Sequence, residues 1–189
     1  GPGIRIGSDW QQNELVFRAN SAFRRYFGHS RRNEDNFSLG LLHRLDVGST
    51  LSFTSEAQYA EQFETPFSGE VSSQQIALSK YKRAFLSERG QYAFGRLRAI
   101  GAVDYSKFTF NRIDFGDVEF SQANRDRDLT RVTGQLEYAF SPSISAYGQA
   151  AIANTRYDDP LAPGIANRDS NGFRAIAGIN FDITGFTRG

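Results

Sequence analysis

Apolar and polar residues alternate along most of this chain. From Phe37 the odd positions carry Phe37, Leu39, Leu41, His43, Leu45 and Val47, and the even ones Ser38, Gly40, Leu42, Arg44 and Asp46. Past Gly48, Leu51, Phe53, Ala57, Tyr59 and Phe63 share one parity against Ser52, Thr54, Glu56, Gln58 and Gln62. Val132, Gly134, Leu136, Tyr138 and Phe140 oppose Arg131, Thr133, Gln135 and Glu137. Ala175, Ala177, Ile179, Phe181 and Ile183 oppose Arg174, Gly178, Asn180 and Asp182. A helix would repeat apolar residues at i, i+3, i+4 and i+7. Successive side chains of a strand point to opposite faces, so the pattern predicts half-buried strands.

Eight long runs follow: 14–27, 36–47, 50–63, 75–88, 92–109, 128–140, 144–158 and 172–184, with a short ninth at 3–9 turned by Trp10–Asn13. Two are poorly patterned. Run 75–88 carries Lys80 and Lys82 on one parity and Arg83 on the other, and small residues fill both faces of 144–158. A bulge, or a register other than the one read here, is expected there. The connections alternate. Short ones fall at Val47–Thr50, Glu88–Gln91 and Ser141–Ser143, and long polar ones at Gly28–Asp35, Glu64–Gln74, Phe110–Arg127 and Asp159–Asn171.

Short turns at one end and long loops at the other describe a transmembrane β-barrel of the bacterial outer membrane, its long loops outside the cell. Runs of about 12–18 residues exceed the usual mode of about 5–6 in globular sheets, which argues against a soluble β-sandwich. The few charges on the apolar parity also fit. Arg25, Glu61 and Lys107 each lie two residues beyond an aromatic (Phe23, Tyr59 and Tyr105), at the long-loop end of a strand. A lipid-facing charge costs roughly 2–4 kcal/mol at the bilayer midplane and about 0–1 near its surface. Tyr138, Phe140 and Phe181 form the expected opposite girdle. The fold class is therefore all-β: an antiparallel, up-and-down transmembrane barrel. Eight or nine strands lie in this chain, closed alone or as part of a larger barrel. The expected organisation is one barrel domain, residues 1–189, incomplete at its C-terminal end.

Composition removes other classes. Lys plus Arg is 22 and Asp plus Glu 21, a net charge of +1 that offers no nucleic-acid surface. The chain has no cysteine, hence no disulfide, thiolate metal site or thiol nucleophile. No run approaches the ~18 apolar residues of a membrane helix.

The stretches "GIRIGSDWQQNELVFRANSAFRRYF", "GLLHRLDVGSTLSF", "GQLEYAFSPSISAYGQ" and "RDSNGFRAIAGINFDITG" resemble a family of outer-membrane β-barrel porins of alphaproteobacteria and relatives, often linked to exopolysaccharide gene clusters. The resemblance covers most of the chain through hairpin patterns and brings no catalytic motif. It implies a Gram-negative outer-membrane location, a transport role, and partners among outer-membrane lipid and lipopolysaccharide and periplasmic or polysaccharide-export proteins.

The polar parity supplies the candidate lumen residues: Arg18, Arg24, Arg44, Glu56, Arg96, Arg98, Asp104, Arg131, Glu137, Arg174 and Asp182. Charged side chains set pore selectivity, and an arginine excess favours anionic solutes such as acidic sugars. A mutually paired network that only fills the interior is the alternative. His29, Ser30 and Glu34 share a loop without the fixed geometry a catalytic triad needs. His43, mid-strand on the apolar parity, reads as a packing or assembly residue. Asp158, Asp159 and Asp169 match no calcium-loop spacing. The expectation is a non-enzyme without cofactor or metal. It acts as a porin-like channel for polar or anionic solutes or in polysaccharide export. The alternative is a structural or interaction barrel working through its loops or a periplasmic partner.

Overall fold

A computed structural model describes residues 1–25, 27, 33–64, 79–115, 118–184 and 187–188. The strands are β1 (Gly3–Asp9), β2 (Asn13–Arg24), β3 (Glu34–Val47), β4 (Leu51–Phe63), β5 (Lys80–Phe94), β6 (Leu97–Phe110), β7 (Ile113–Phe115), β8 (Val118–Phe120), β9 (Arg127–Ser141), β10 (Ile144–Tyr157), β11 (Ser170–Thr184) and β12 (Thr187–Arg188). Ten form one antiparallel sheet in the order β1-β2-β3-β4-β5-β6-β9-β10-β11-β12, and β7 and β8 form a separate hairpin. Every strand of the large sheet pairs only with its neighbours along the chain, apart from the β7–β8 excursion. This is the expected meander, and among the described residues it runs open from β1 to β12.

The register keeps the two parities on separate faces across all the long strands. One apolar row reads Leu41, Ala57, Leu86 and Tyr105 on β3 to β6. Another reads Val103, Val132, Ile152 and Phe173 on β6 and β9 to β11. This face is bare: Ile6 is 63% exposed, Phe94 66%, Leu136 60% and Phe173 73%. The accessible surface is 13320 Å², against roughly 9,000 Å² for a compact monomer of this mass. A soluble sandwich would cover its apolar face with a second sheet. Here, among the described residues, the buried apolar side chains are Val16, Ala60, Phe110 and Ile113.

Both girdles are present. At the long-loop end of the apolar face Arg25 pairs with Asp35, Lys80 with Glu61 at 2.6 Å and Lys107 with Asp128 at 3.7 Å. At the short-turn end lie Tyr92, Phe94, Tyr138, Phe140 and Phe181. Tyr138 and Phe140 meet edge to face at 5.4 Å.

Three boundaries differ from the sequence reading. The turn expected at Glu88–Gln91 is Gly95–Arg96, and Glu88 to Gln91 lie inside β5. Gly90 there lies beneath the Phe53 ring on the neighbouring strand, where an added Cβ would come within 3.4 Å of it. Gly95 has φ 59, the conformation a two-residue hairpin needs at its first central position. The fifth strand starts at Lys80, and residues 75–78 of the predicted run lie outside the described set. The loop predicted from Phe110 to Arg127 is built rather than irregular. It holds the β7–β8 hairpin and a 3-10 turn at Ala123–Arg125. The bulge expected in 144–158 sits at its start, between Ile144 and Ser145.

Candidate functional site

The polar face gathers the chemistry. Near the long-loop end one register row runs Arg83, Phe108, Arg127, Tyr157 from β5 to β10, with Arg168 just before β11. Cations and rings alternate along it. Arg127 lies 5.0 Å from the Phe108 ring centre and 5.8 Å from that of Tyr157, and Arg168 lies 4.2 Å from Tyr157. Arg83 stands over Phe108 at 5.6 Å and Phe85 at 5.0 Å. Such contacts contribute about 0.5–1 kcal/mol each when exposed and about 2 or more when desolvated.

The 3-10 turn Ala123–Arg125 packs beside this row against β6. Arg125 stacks on the Phe110 ring at 4.1 Å, forms an ion pair with Glu64 and donates to Gln122 Oε1 at 2.6 Å. Gln122 Nε2 donates to Ser79 Oγ at 3.0 Å. Ser79 is 1% exposed and Gln122 6%, so this lock ties three chain segments in the small buried core at the long-loop end of the sheet. Asp126 accepts from Phe110 N–H at 2.7 Å. Burial nevertheless raises its carboxyl above the usual aspartate range, with help from Asp158 and Asp159 and against Lys107 and that hydrogen bond.

The candidate lumen residues divide into three groups. Several are paired: Arg24 with Glu34 through both carboxylate oxygens at 3.1 Å, Arg44 with Asp46 at 3.2 Å, and Arg98 with Gln91 at 2.9 Å and Glu137 at 3.9 Å. Glu137 accepts from Ser145 Oγ at 2.9 Å, and Asp104 from Ser87 Oγ at 2.7 Å. Arg96 sits in the short turn and donates to the Phe140 carbonyl at 3.1 Å. Asp182 lies in β11, its side chain outside the described set, and His29 falls among residues 28–32, also outside it.

The remaining arginines, Arg18, Arg131 and Arg174, have no ion pair among the described residues. Arg18 faces Arg5 directly in register, beside a pit of about 140 Å³ that Gly40 floors and Glu56 and Gln58 edge. Arg131 on β9 and Arg174 on β11 come together across β10. Ala153 and Ala151 stand opposite them in register. With Thr133, Gln149 and Gly172 they enclose a pit of about 290 Å³ that no acidic residue lines. The two strands are about 10 Å apart, and the two arginines flank the alanine floor between them. Neither guanidinium has a hydrogen bond or ion pair among the described residues. The pit can receive a carboxylate or phosphate through fork-shaped donors, with a hydroxyl and an amide beside it.

Sequence reasoning missed the Arg83–Tyr157 row and the Glu64–Arg125–Gln122–Ser79 lock. Their aromatics sit on the polar parity of separate strands, and only the register reveals the alternation.

A single-layer antiparallel meander, bare and apolar on one face and charged on the other, defines the class of transmembrane β-barrels. The family described as "Putative beta-barrel porin 2" matches residues 1–189, and the chain belongs to it. No curated protein and no solved structure matches the chain. Membership in a porin-like barrel family points to a non-enzyme and to the outer membrane.

Proposed function

We propose that the chain builds a porin-like channel in a Gram-negative outer membrane that passes polar, anionic solutes across its charged face. The observation that carries this reading is the Arg131–Arg174 pit: two guanidiniums without an ion pair among the described residues, over a floor of small residues and with no acid in the pit's lining. In a lumen such a pair attracts anions and repels cations. Acidic saccharide chains fit the same chemistry, which makes polysaccharide export the more particular form of the proposal. The apolar face meets lipid tails, and the charged rim at the long-loop end meets the headgroups of the outer leaflet.

The test is ion selectivity of the full-length chain in a planar bilayer. The expected wild type prefers chloride to potassium, and Arg131→Ser with Arg174→Ser lowers that preference by about threefold or more, two lumen charges being lost. An unchanged ratio would remove these residues from the permeation path. The Glu64–Arg125–Gln122–Ser79 lock favours a second reading, an interaction barrel working through its ordered long-loop end or a periplasmic partner. A silent bilayer with confirmed insertion would select it.

A further inference from the structure

Among the described residues, one row in the middle of the apolar face carries ionisable side chains. His43, Ser55 and Glu88 stand side by side in one register row on β3, β4 and β5. The row towards the long loops is Leu41, Ala57 and Leu86, and the row towards the short turns is Leu45, Phe53 and Gly90. The three polar residues therefore lie inside the apolar band, away from both girdles. They line a hollow of about 310 Å³ together with Leu41, Ala57, Leu86, Val103 and Tyr105.

Glu88 is exposed and has no hydrogen bond or ion pair among the described residues. His43 Nε2 lies 3.3 Å from Asn13 Oδ1, a contact that leaves Nδ1 for another partner. A carboxylate facing lipid at this depth is unfavourable, and intramembrane ionisable residues ordinarily find a partner. The row offers no internal remedy, because Ser55 stands between the acid and the base, two strand spacings or about 10 Å apart.

We propose that this patch is the contact between two copies of the chain in the membrane. The proposal rests on the membrane-barrel reading above. A two-fold interface presents the same patch from both sides and must be self-complementary. A row ordered base, hydroxyl, acid meets that condition. With the axis through Ser55, His43 of each copy comes beside Glu88 of the other, giving two identical imidazole–carboxylate contacts. The leucines above and the phenylalanine below supply apolar contact around them, and lipid is excluded from both charges. A lipid phosphate does not fit, because the patch lies below the headgroup level and carries an acid of its own.

The test uses the absence of cysteine. Full-length chain carrying Ser55→Cys is folded into phosphatidylcholine vesicles and treated with a short bis-maleimide. A cross-linked dimer is expected in high yield, whereas Ile152→Cys on the same face, far around the sheet, should give little. Glu88→Gln, which keeps shape and removes only the charge, should weaken the dimer by roughly a hundredfold, two charged hydrogen bonds being lost. His43→Glu and Glu88→His should each abolish it, and the double exchange should restore it. Heat-modifiable gel mobility shows that each variant is folded and inserted. Inserted protein that is monomeric, equal cross-linking at Ser55 and Ile152, or no rescue by the double exchange would overturn the proposal. Failure of the wild type to insert would overturn the membrane reading and the proposal with it.

Discussion

Single side chains in this protein answer to register more than to sequence neighbours. Asp126 shows this in its titration. Burial raises its carboxyl above the ordinary aspartate value of 3.8 although Phe110 N–H bonds to it. A raised acid stabilises the fold when protonated. That contribution is complete below pH 3.8 and is lost as pH rises through the higher folded value. Asp126→Asn keeps an oxygen for Phe110 and removes the charge. Its melting temperature should exceed that of the wild type at pH 7, and the difference should vanish in acid. Melting curves of both proteins across pH 3 to 7 check the sign. The sequence makes Arg131 and Arg174 candidates because both lie on the polar parity. It does not bring them together, because 43 positions of chain and one intervening strand separate them, a distance only pairing can fold away. The cation–aromatic row is hidden for the same reason.

At the level of strands and turns, alternation is a strong local signal and turn position a weak one. Period two arises within each strand, so most long strands are legible, and β5 and β10 are the two where the pattern is weak. Glu88–Gln91 resembles a turn because charge, glycine and amide fall together there. Its residues nonetheless keep perfect alternation into β5, with Glu88 and Gly90 on one face and Arg89 and Gln91 on the other. The true turn depends on Gly95 at φ 59. Gly95→Val should destabilise the folded protein by about 1–2 kcal/mol, and Gly95→Asn by less, since asparagine tolerates that conformation. Urea unfolding in lipid vesicles measures both. Equal stabilities would mean that the turn relaxes to another form.

Taken whole, the molecule is one sheet with two solvents. Its barrel class is readable from sequence because lipid on one side and water on the other enforce strict parity along every strand. Closure is not readable, because it depends on how edges meet rather than on any residue pattern. The two-solvent arrangement makes a direct prediction for adjacent positions of β6. Cysteine at Ala102, on the polar face, should react readily with a charged, membrane-impermeant maleimide in vesicles. Cysteine at Val103, on the apolar face, should be at least roughly tenfold slower. Equal rates would place both faces in water and return the chain to the soluble class.

The neighbour-only strand order also decides how the sheet can grow in time. The β5–β6 and β9–β10 ribbons close through turns at 95–96 and 142–143, whereas β4 reaches β5 and β6 reaches β9 only across 64–79 and 111–126. Closing the longer spans costs about 2 kcal/mol more in chain entropy. The ribbons therefore zip first as local units, and the long seams between them join afterwards. On this order the Glu64–Arg125 ion pair, which joins both of those spans, forms late, and it is expected to slow unfolding without speeding folding.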